Sequence, residues 1–399
     1  MFSAILEGYR NAFRGLPRQV WVLAGCLGIN RLGMMVLPFL ELYLTEERGL
    51  AIDEAGRIVA LFGVGSIAGV WVGGVLADRH DPRRVQLGSL VAGAAFMVAL
   101  WAARTPLAIA GALLLMSLAT EVFRPANGAA VGRAVDARRR GRAFSLVMLA
   151  VNLGVSIGMP LGGFLAEIDF DWLFGIDAGT TLLAAVFLFL LGRPTGAPPP
   201  EPEPPPAPAA ATPWRDRTFV LVVVLQSLTA AVLFQFFGAL PVFLKSLGLS
   251  KAGVGWVLAA NSVAIALFQM MVAQRIEGRD ILPWMGFGSL MICLGYGLNL
   301  FVTSWPLAVV SVLVWTFGEM FYFPLAAAFA TRRAPPGAMG RFLSFHLMGI
   351  AIGVVLAASI GTWVYEHHGS DVLWSGCAIA GVLIALAYGA VHRRERARA

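Results

Sequence analysis

The sequence predicts an all-α polytopic membrane protein with twelve transmembrane helices arranged as two six-helix pseudo-repeats. Three observations lead there. Of 399 residues, 58% are hydrophobic and only 13% charged, whereas a soluble chain of this length carries about a quarter charged residues. Apolar runs of spanning length are separated by loops that are alternately rich and poor in arginine. A proline-rich segment divides those runs six and six, and residues on one side of it recur on the other.

Crossing a bilayer core takes about twenty apolar residues in a helix. Turn residues bound such runs at 19–44, 56–77, 85–103, 107–130, 143–166, 174–191, 217–240, 253–273, 283–302, 307–330, 342–364 and 372–391. The first run lacks a small-residue cleavage pattern and reads as a helix rather than a cleaved leader. The sixth and ninth are short or closely flanked, so ten or eleven helices are the alternatives. Loop charge favours twelve. One set of loops holds Arg14 and Arg18, Arg79, Arg83 and Arg84, Arg138 to Arg140 with Arg142, Arg215 and Arg217, Arg275 and Arg279, Arg332 and Arg333, and Arg393 and Arg394. The other set collects Glu46, Glu47, Asp53, Glu54, Glu167, Asp169, Asp171, Glu366 and Asp371. Positive charge stays on the cytoplasmic side, which puts both termini there. The net charge of +7 is therefore a topology signal, and with no basic block interleaved with aromatics a nucleic-acid partner is not expected.

Residues 1–191 form an N-terminal six-helix bundle, 192–216 a proline-rich cytoplasmic linker, and 217–399 a C-terminal bundle with a basic tail. Prolines lacking amide hydrogens favour an extended linker. Between the halves, Pro125, Gly141, Arg142, Ser145, Gly154 and Gly162 recur 199 residues later as Pro324, Gly340, Arg341, Ser344, Gly353 and Gly361. Glu121 meets Glu319 with a slip of one residue. Like-oriented halves suit a carrier that rocks around a central cavity.

The stretch "GGVLADRHDPRRV", 73–85, follows the second span on the arginine-rich side. Through Gly74, Leu76, Ala77, Asp78, Arg79 and Arg83 it resembles the loop signature of the major facilitator superfamily, with Asp81 and Pro82 in place of the usual glycine and arginine. The resemblance covers nearly the whole chain and implies that superfamily's fold. It also implies that Asp78 acts as a latch between the halves, with Arg142 as candidate partner, within a latch loop of Gly74, Asp78, Arg79 and Arg83; Gly74 would allow close helix approach, and loop anchoring by Asp78, Arg79 and Arg83 is the plainer reading. The stretch "NLGVSIGMPLGG", 152–163, resembles an antiporter-associated motif of the fifth span, although Met159 stands where proline is usual. Its Gly154–Gly158 step equally suits close helix packing.

Ionisable groups inside spans mark functional paths, because a bare charge in hydrocarbon costs from about 2.5 to well above 10 kcal/mol. Span one carries Asn30 and Arg31, with Pro38 opening its backbone ladder and Glu41 close enough to the outer interface to be partly wet. Span four carries Glu121, Arg124 and Asn127; span ten carries Trp315, Glu319 and Tyr322. Glu121 and Arg124 are neighbours at i,i+3, and Glu121 is also the first candidate acid for Arg31. Glu319, Glu121, Arg31 and Arg124 are the proton-coupling candidates, Glu319 foremost because its own helix offers no nearby base; a fixed salt-bridge network is the competing reading. Asn30, Asn127, Asn152, Gln226, Gln235, Asn261, Trp315 and Tyr322 are the substrate-binding candidates. His346 reads as a satisfied polar contact.

No nucleotide-binding loop, metal-ligand pattern or cofactor motif is present, and Cys26, Cys293 and Cys377 read as packing residues. The expectation is a secondary active transporter and not an enzyme, needing no cofactor. It would work by alternating access in a bacterial inner membrane as a monomer, its partners a small-molecule substrate, protons and membrane lipids. The resemblance to bacterial drug-efflux members implies proton-coupled export of lipophilic or cationic compounds. The alternatives are proton-coupled uptake of peptides or other polar solutes, for which "RPAN" at 124–127 is the nearest likeness to peptide transporters, and a non-transporting scaffold or receptor.

Overall fold

The computed structural model describes residues 13–136, 139–192, 212–276, 279–335 and 338–397. Most of the proline-rich linker lies outside them. Twelve helices among the described residues are long and apolar enough to cross a membrane. They are α1 (Arg18–Glu47), α2 (Ile52–Ala77), α3 (Pro82–Ala102), α4 (Pro106–Ala134), α5 (Arg142–Ile168) and α6 (Asp171–Leu191). The second set is α7 (Arg217–Phe237), α8 (Lys251–Gln269), α9 (Ile281–Phe301), α10 (Trp305–Arg333), α11 (Arg341–His368) and α12 (Ser370–Arg396). The two short spans of the sequence reading are full helices, and a further short helix, Ala239–Ser246, follows α7.

Prolines explain where these helices deviate. A proline has no amide hydrogen and crowds the carbonyl four residues before it. Pro38 therefore disrupts α1 at Met34, where the α-helix stops at Leu32 and resumes at Val36. Pro125 disrupts α4 at Glu121, dividing it into Pro106–Glu121 and Phe123–Ala134. Pro324 leaves α10 continuous, because the carbonyl it orphans, that of Met320, accepts a hydrogen bond from Gln269 of α8 at 3.2 Å. Asp81 and Pro82, the departures from the loop signature, start α3: Asp81 is the N-cap, its carboxylate accepting from the Arg83 amide at 2.9 Å, and Pro82 suits the first helical position.

The described residues fall into two compact units. One gathers those within Met1–Val36, Gly65–Leu161 and Asp169–Glu201; the other those within Leu37–Val64, Gly162–Ile168 and Pro202–Ala399. In the first, α3 packs on α4 and α6, and α1 packs on α6. In the second, α9 packs on α10 and α12, and α7 packs on α12. The repeat is thus visible as equivalent contacts, six helices apart. Repeated glycines do equivalent work: a Cβ at Gly154 of α5 would lie 2.5 Å from the Gly28 carbonyl of α1, and one at Gly353 of α11 would lie 2.9 Å from the Ser227 carbonyl of α7. In α2, Gly65, Gly69 and Gly73 press on α4, where a Cβ would come 2.6 Å from the Leu114 carbonyl or 2.7 Å from that of Val122.

Candidate functional site

In the first unit the charges gather where two proline breaks occur. Glu121 is the last residue before the break in α4 and Arg124 lies in the first turn after it. Their side chains form an ion pair at 3.1 Å, with the carboxylate largely buried and the guanidinium half-exposed. Arg31, just before the break in α1, is within electrostatic reach of Glu121, Arg124 and Asp177. Its guanidinium donates to the Met34 sulfur at 2.7 Å. Glu121 is thus held directly by Arg124 and reaches Arg31 at longer range.

Asp177 of α6 is a functional candidate that the sequence reading missed, although an acid seven residues into a span is itself the signal. It is buried, and its carboxylate accepts the amide of Val36, the residue at which α1 resumes. Gly33 makes this possible: its Cβ position is occupied by the Thr180 hydroxyl, with the Asp177 Cα 3.0 Å away. Asn30 donates to Thr181 of α6 at 3.0 Å. Asn127 is buried and accepts from Gln86 of α3 at 3.0 Å, a helix-packing bond. Asn152 donates to the Met148 carbonyl of its own helix.

In the second unit Glu319 is half-buried in α10 and accepts from the Asn261 amide of α8 at 2.7 Å. The same nitrogen donates to Thr316 at 3.0 Å. The structure thus brings Glu319 and Asn261 together. Several others are turned into the packing. Tyr322 is fully buried and its hydroxyl is hydrogen-bonded to that of Tyr388 at 2.8 Å. Trp315 is 2% exposed and stacks between Phe236 and Tyr296, with centroids 6.2 and 5.6 Å away. Gln226 is matched to His346 of α11 on both amide atoms, at 2.7 Å each. Tyr322, Trp315 and Gln226, expected at a substrate pocket, make contacts between helices with these polar or aromatic groups. Gln235 is buried and donates to the carbonyls of Ala231 and Ala357.

The loop after α2 shows which parts of its signature make contacts. The close approach comes from Gly73, while a Cβ at Gly74 would meet nothing within 4 Å; the expectation for Gly74 shifts by one residue because the packing stripe runs through Gly65, Gly69 and Gly73. The Asp78 side chain lies outside the described residues. Arg79 is exposed. Arg83 donates to the Phe189 carbonyl at 2.6 Å near the end of α6, where helix carbonyls lack partners. Arg142 donates to the Arg14 carbonyl at 2.8 Å.

Glu41, expected to be partly wet, is 0% exposed, and among the described residues neither carboxylate oxygen has a hydrogen-bond partner. Glu46 is ion-paired with Lys251 at 3.1 Å, and Glu167 accepts the Ala252 amide at 3.4 Å, so the ends of α1 and α5 remote from the termini are tied to the start of α8. At the other end of the second unit, Arg333 bridges Glu395 at 2.7 Å and Asp216 at 3.1 Å.

Twelve spanning helices among the described residues, with a buried or half-buried glutamate at near-equivalent positions of α4 and α10, have the architecture of a solute carrier. The family model described as Major Facilitator Superfamily matches residues 23–350 and 236–399. The chain belongs to that superfamily. It is a transporter and a multi-pass membrane protein. Among its relatives in the superfamily, Multidrug resistance protein MdtH of Aeromonas salmonicida is 25% identical over 322 residues, covering 80% of each chain. A Na(+), Li(+), K(+)/H(+) antiporter of Planococcus maritimus is 25% identical over 376 residues, 84% of this chain and 86% of that one. A solved POT family transporter in complex with 5-aminolevulinic acid shares the fold with a TM-score of 0.79 at 15% identity, over 95% of this chain and 98% of that one. Nucleoside transporter NupG does so with a TM-score of 0.76 at 16% identity, over 95% and 99%.

Proposed function

We propose that the protein exports lipophilic or cationic small molecules in exchange for protons, by alternating access, with both termini in the cytoplasm of a bacterial inner membrane. The observation that carries this reading is the environment of Glu319. Its hydrogen-bond partner is the neutral amide of Asn261, while Arg332 and Arg333 of the same helix lie at its far end. A carboxylate inside the membrane without a counter-charge is suited to taking up and releasing a proton, and when ionised it attracts a cationic guest. Half-buried Phe234 and Phe236, at the irregular end of α7, supply apolar surface for such a guest. Glu121 is ion-paired with Arg124 and serves, with Arg31 and Asp177, to bias the equilibrium between conformations. Asp78, Arg79, Arg83 and Arg142 form the latch region. The multidrug name of the MdtH relatives supports the substrate class, and the antiporter relative supports exchange against protons. Peptide uptake would call on Asn127, which is committed to Gln86.

The test is transport in vesicles under an imposed proton gradient. A lipophilic cationic dye should move uphill with the native protein and not with Glu319→Gln. Peptide-driven alkalinisation without dye movement would overturn the reading.

A further inference from the structure

Glu41 stands apart from the charges used above. It is fully sealed, against 7% exposure for Glu121 and Asp177, and both of its carboxylate oxygens are unpartnered. It also lies where three helices of the second unit lose their regular form. Directly after it, α1 makes a π turn at Tyr43–Glu47. Beside it, α7 ends in a 3-10 turn at Phe234–Phe237, and α11 carries a π turn at Ala357–Gly361. The three meet at Gly238, whose Cβ position lies 3.4 Å from Glu41 Oε2 and 3.7 Å from the Ala357 carbonyl oxygen. Irregular turns inside helices recur at functional sites, and broken membrane helices recur at ion sites.

The polar accounting at this junction is one-sided. Gln235 is 4% exposed, and its amide nitrogen donates to Ala231 and Ala357. Its Oε1 is unpartnered. Among the described residues, three buried acceptor oxygens, two from Glu41 and one from Gln235, thus have no donor. The neighbouring groups do not supply one. Tyr365 of α11 is close enough to Glu41 and Glu366 to interact electrostatically, but it makes no hydrogen bond to the Glu41 carboxylate. Lys251 is ion-paired with Glu46, and Arg57 with Asp53. What such a carboxylate lacks is a proton, because an ionised carboxylate with no partner is not tolerated in an apolar interior.

We propose that Glu41 is a second proton-binding carboxyl, separate from Glu319, that keeps its proton while the ends of α1, α7 and α11 around it are packed and exchanges it when they part. The proposal deepens the proton-coupled reading and rests on it.

The test reads the proton directly. pH-difference infrared spectra of the full chain in lipid bilayers should show a protonated-carboxyl carbonyl band that is lost on alkalinisation. That band should vanish in Glu41→Gln, survive in Glu319→Gln, and move to a new frequency in Glu41→Asp. A band unchanged by both Glu41 substitutions overturns the proposal. So does its removal by Na+, Li+ or K+ at constant pH, which would make the junction a metal-ion site. If the dye assay fails while the band behaves as expected, the export reading falls and the proton site stands.

Discussion

Replacing Gly154 by alanine tests whether the glycine step of α5 exists for helix packing. A Cβ there would lie 2.5 Å from the Gly28 carbonyl, 3.1 Å from Arg31 Cβ and 3.2 Å from the Leu32 amide nitrogen. Ordinary contact begins at 3.4 Å, so α5 must retreat from α1 by nearly an ångström, and the opposing carbonyl and amide cannot rotate aside as a side chain would. Overpacking of this kind costs about 1–3 kcal/mol. Alanine also gains about 1 kcal/mol over glycine through helix propensity, so the effect needs a reference. Gly111→Ala in α4 supplies it, because a Cβ there meets nothing within 4 Å and the propensity gain is the same. The difference between the two variants isolates the packing cost, and Gly154→Ala should melt several degrees below Gly111→Ala. Detergent-solubilised thermal unfolding, followed by loss of the monodisperse peak, measures it. Equal melting temperatures would refute the packing argument and return the motif to a purely conformational role.

Asp177→Asn should retain most stability but alter transport, because it removes one of the two acids that face Arg31; Asp177→Leu should in addition cost about 1–3 kcal/mol, since the Val36 amide loses its acceptor. Thermal unfolding and dye transport of both variants check this. Asn261→Leu should leave the protein folded while shifting the pH dependence of transport, as Asn261 is the hydrogen-bond partner of Glu319; an unchanged pH profile counts against the site. At the terminal end, burial alone would raise Asp216, but the hydrogen bonds and charge of Arg333 outweigh it and hold the carboxyl below its usual value. A depressed carboxyl stabilises the fold above its unfolded value of about 4 and loses that contribution as pH falls through the folded one. Arg333→Ala should therefore flatten the acid limb of melting temperature against pH, by an effect of about 1 kcal/mol for so partly exposed a cluster.

Much of the architecture was legible because it rests on local chemistry. Hydropathy and arginine placement gave twelve spans, and Pro38 predicted the break in α1. The site was legible only in part, because facing depends on neighbours far away in sequence. Composition marks Tyr322 and Gln226 as polar groups in a membrane, but nothing in their own helices announces Tyr388 or His346 as partners. Glu41 looked close to the surface by counting residues; the turns of α7 and α11 that enclose it lie about 200 and 320 positions away. Gly73 and Gly74 are adjacent, and only the four-residue rhythm of Gly65, Gly69 and Gly73 distinguishes the packed one. Asp177 was within reach of the sequence: an acid in an apolar span needs no structure to be noticed.

Cutting the chain at the proline-rich segment, a natural place to make a split protein, would not divide it along its compact units. A fragment beginning at residue 217 would lack 37–64 and 162–168, which belong to the second unit. The face of α11 at Val355 and Thr362, matched to Gly63 and Gly56, would be bare, and Lys251 would lose Glu46. Complementation of two separately produced fragments thus requires the first to donate three helix ends to the second before either is complete.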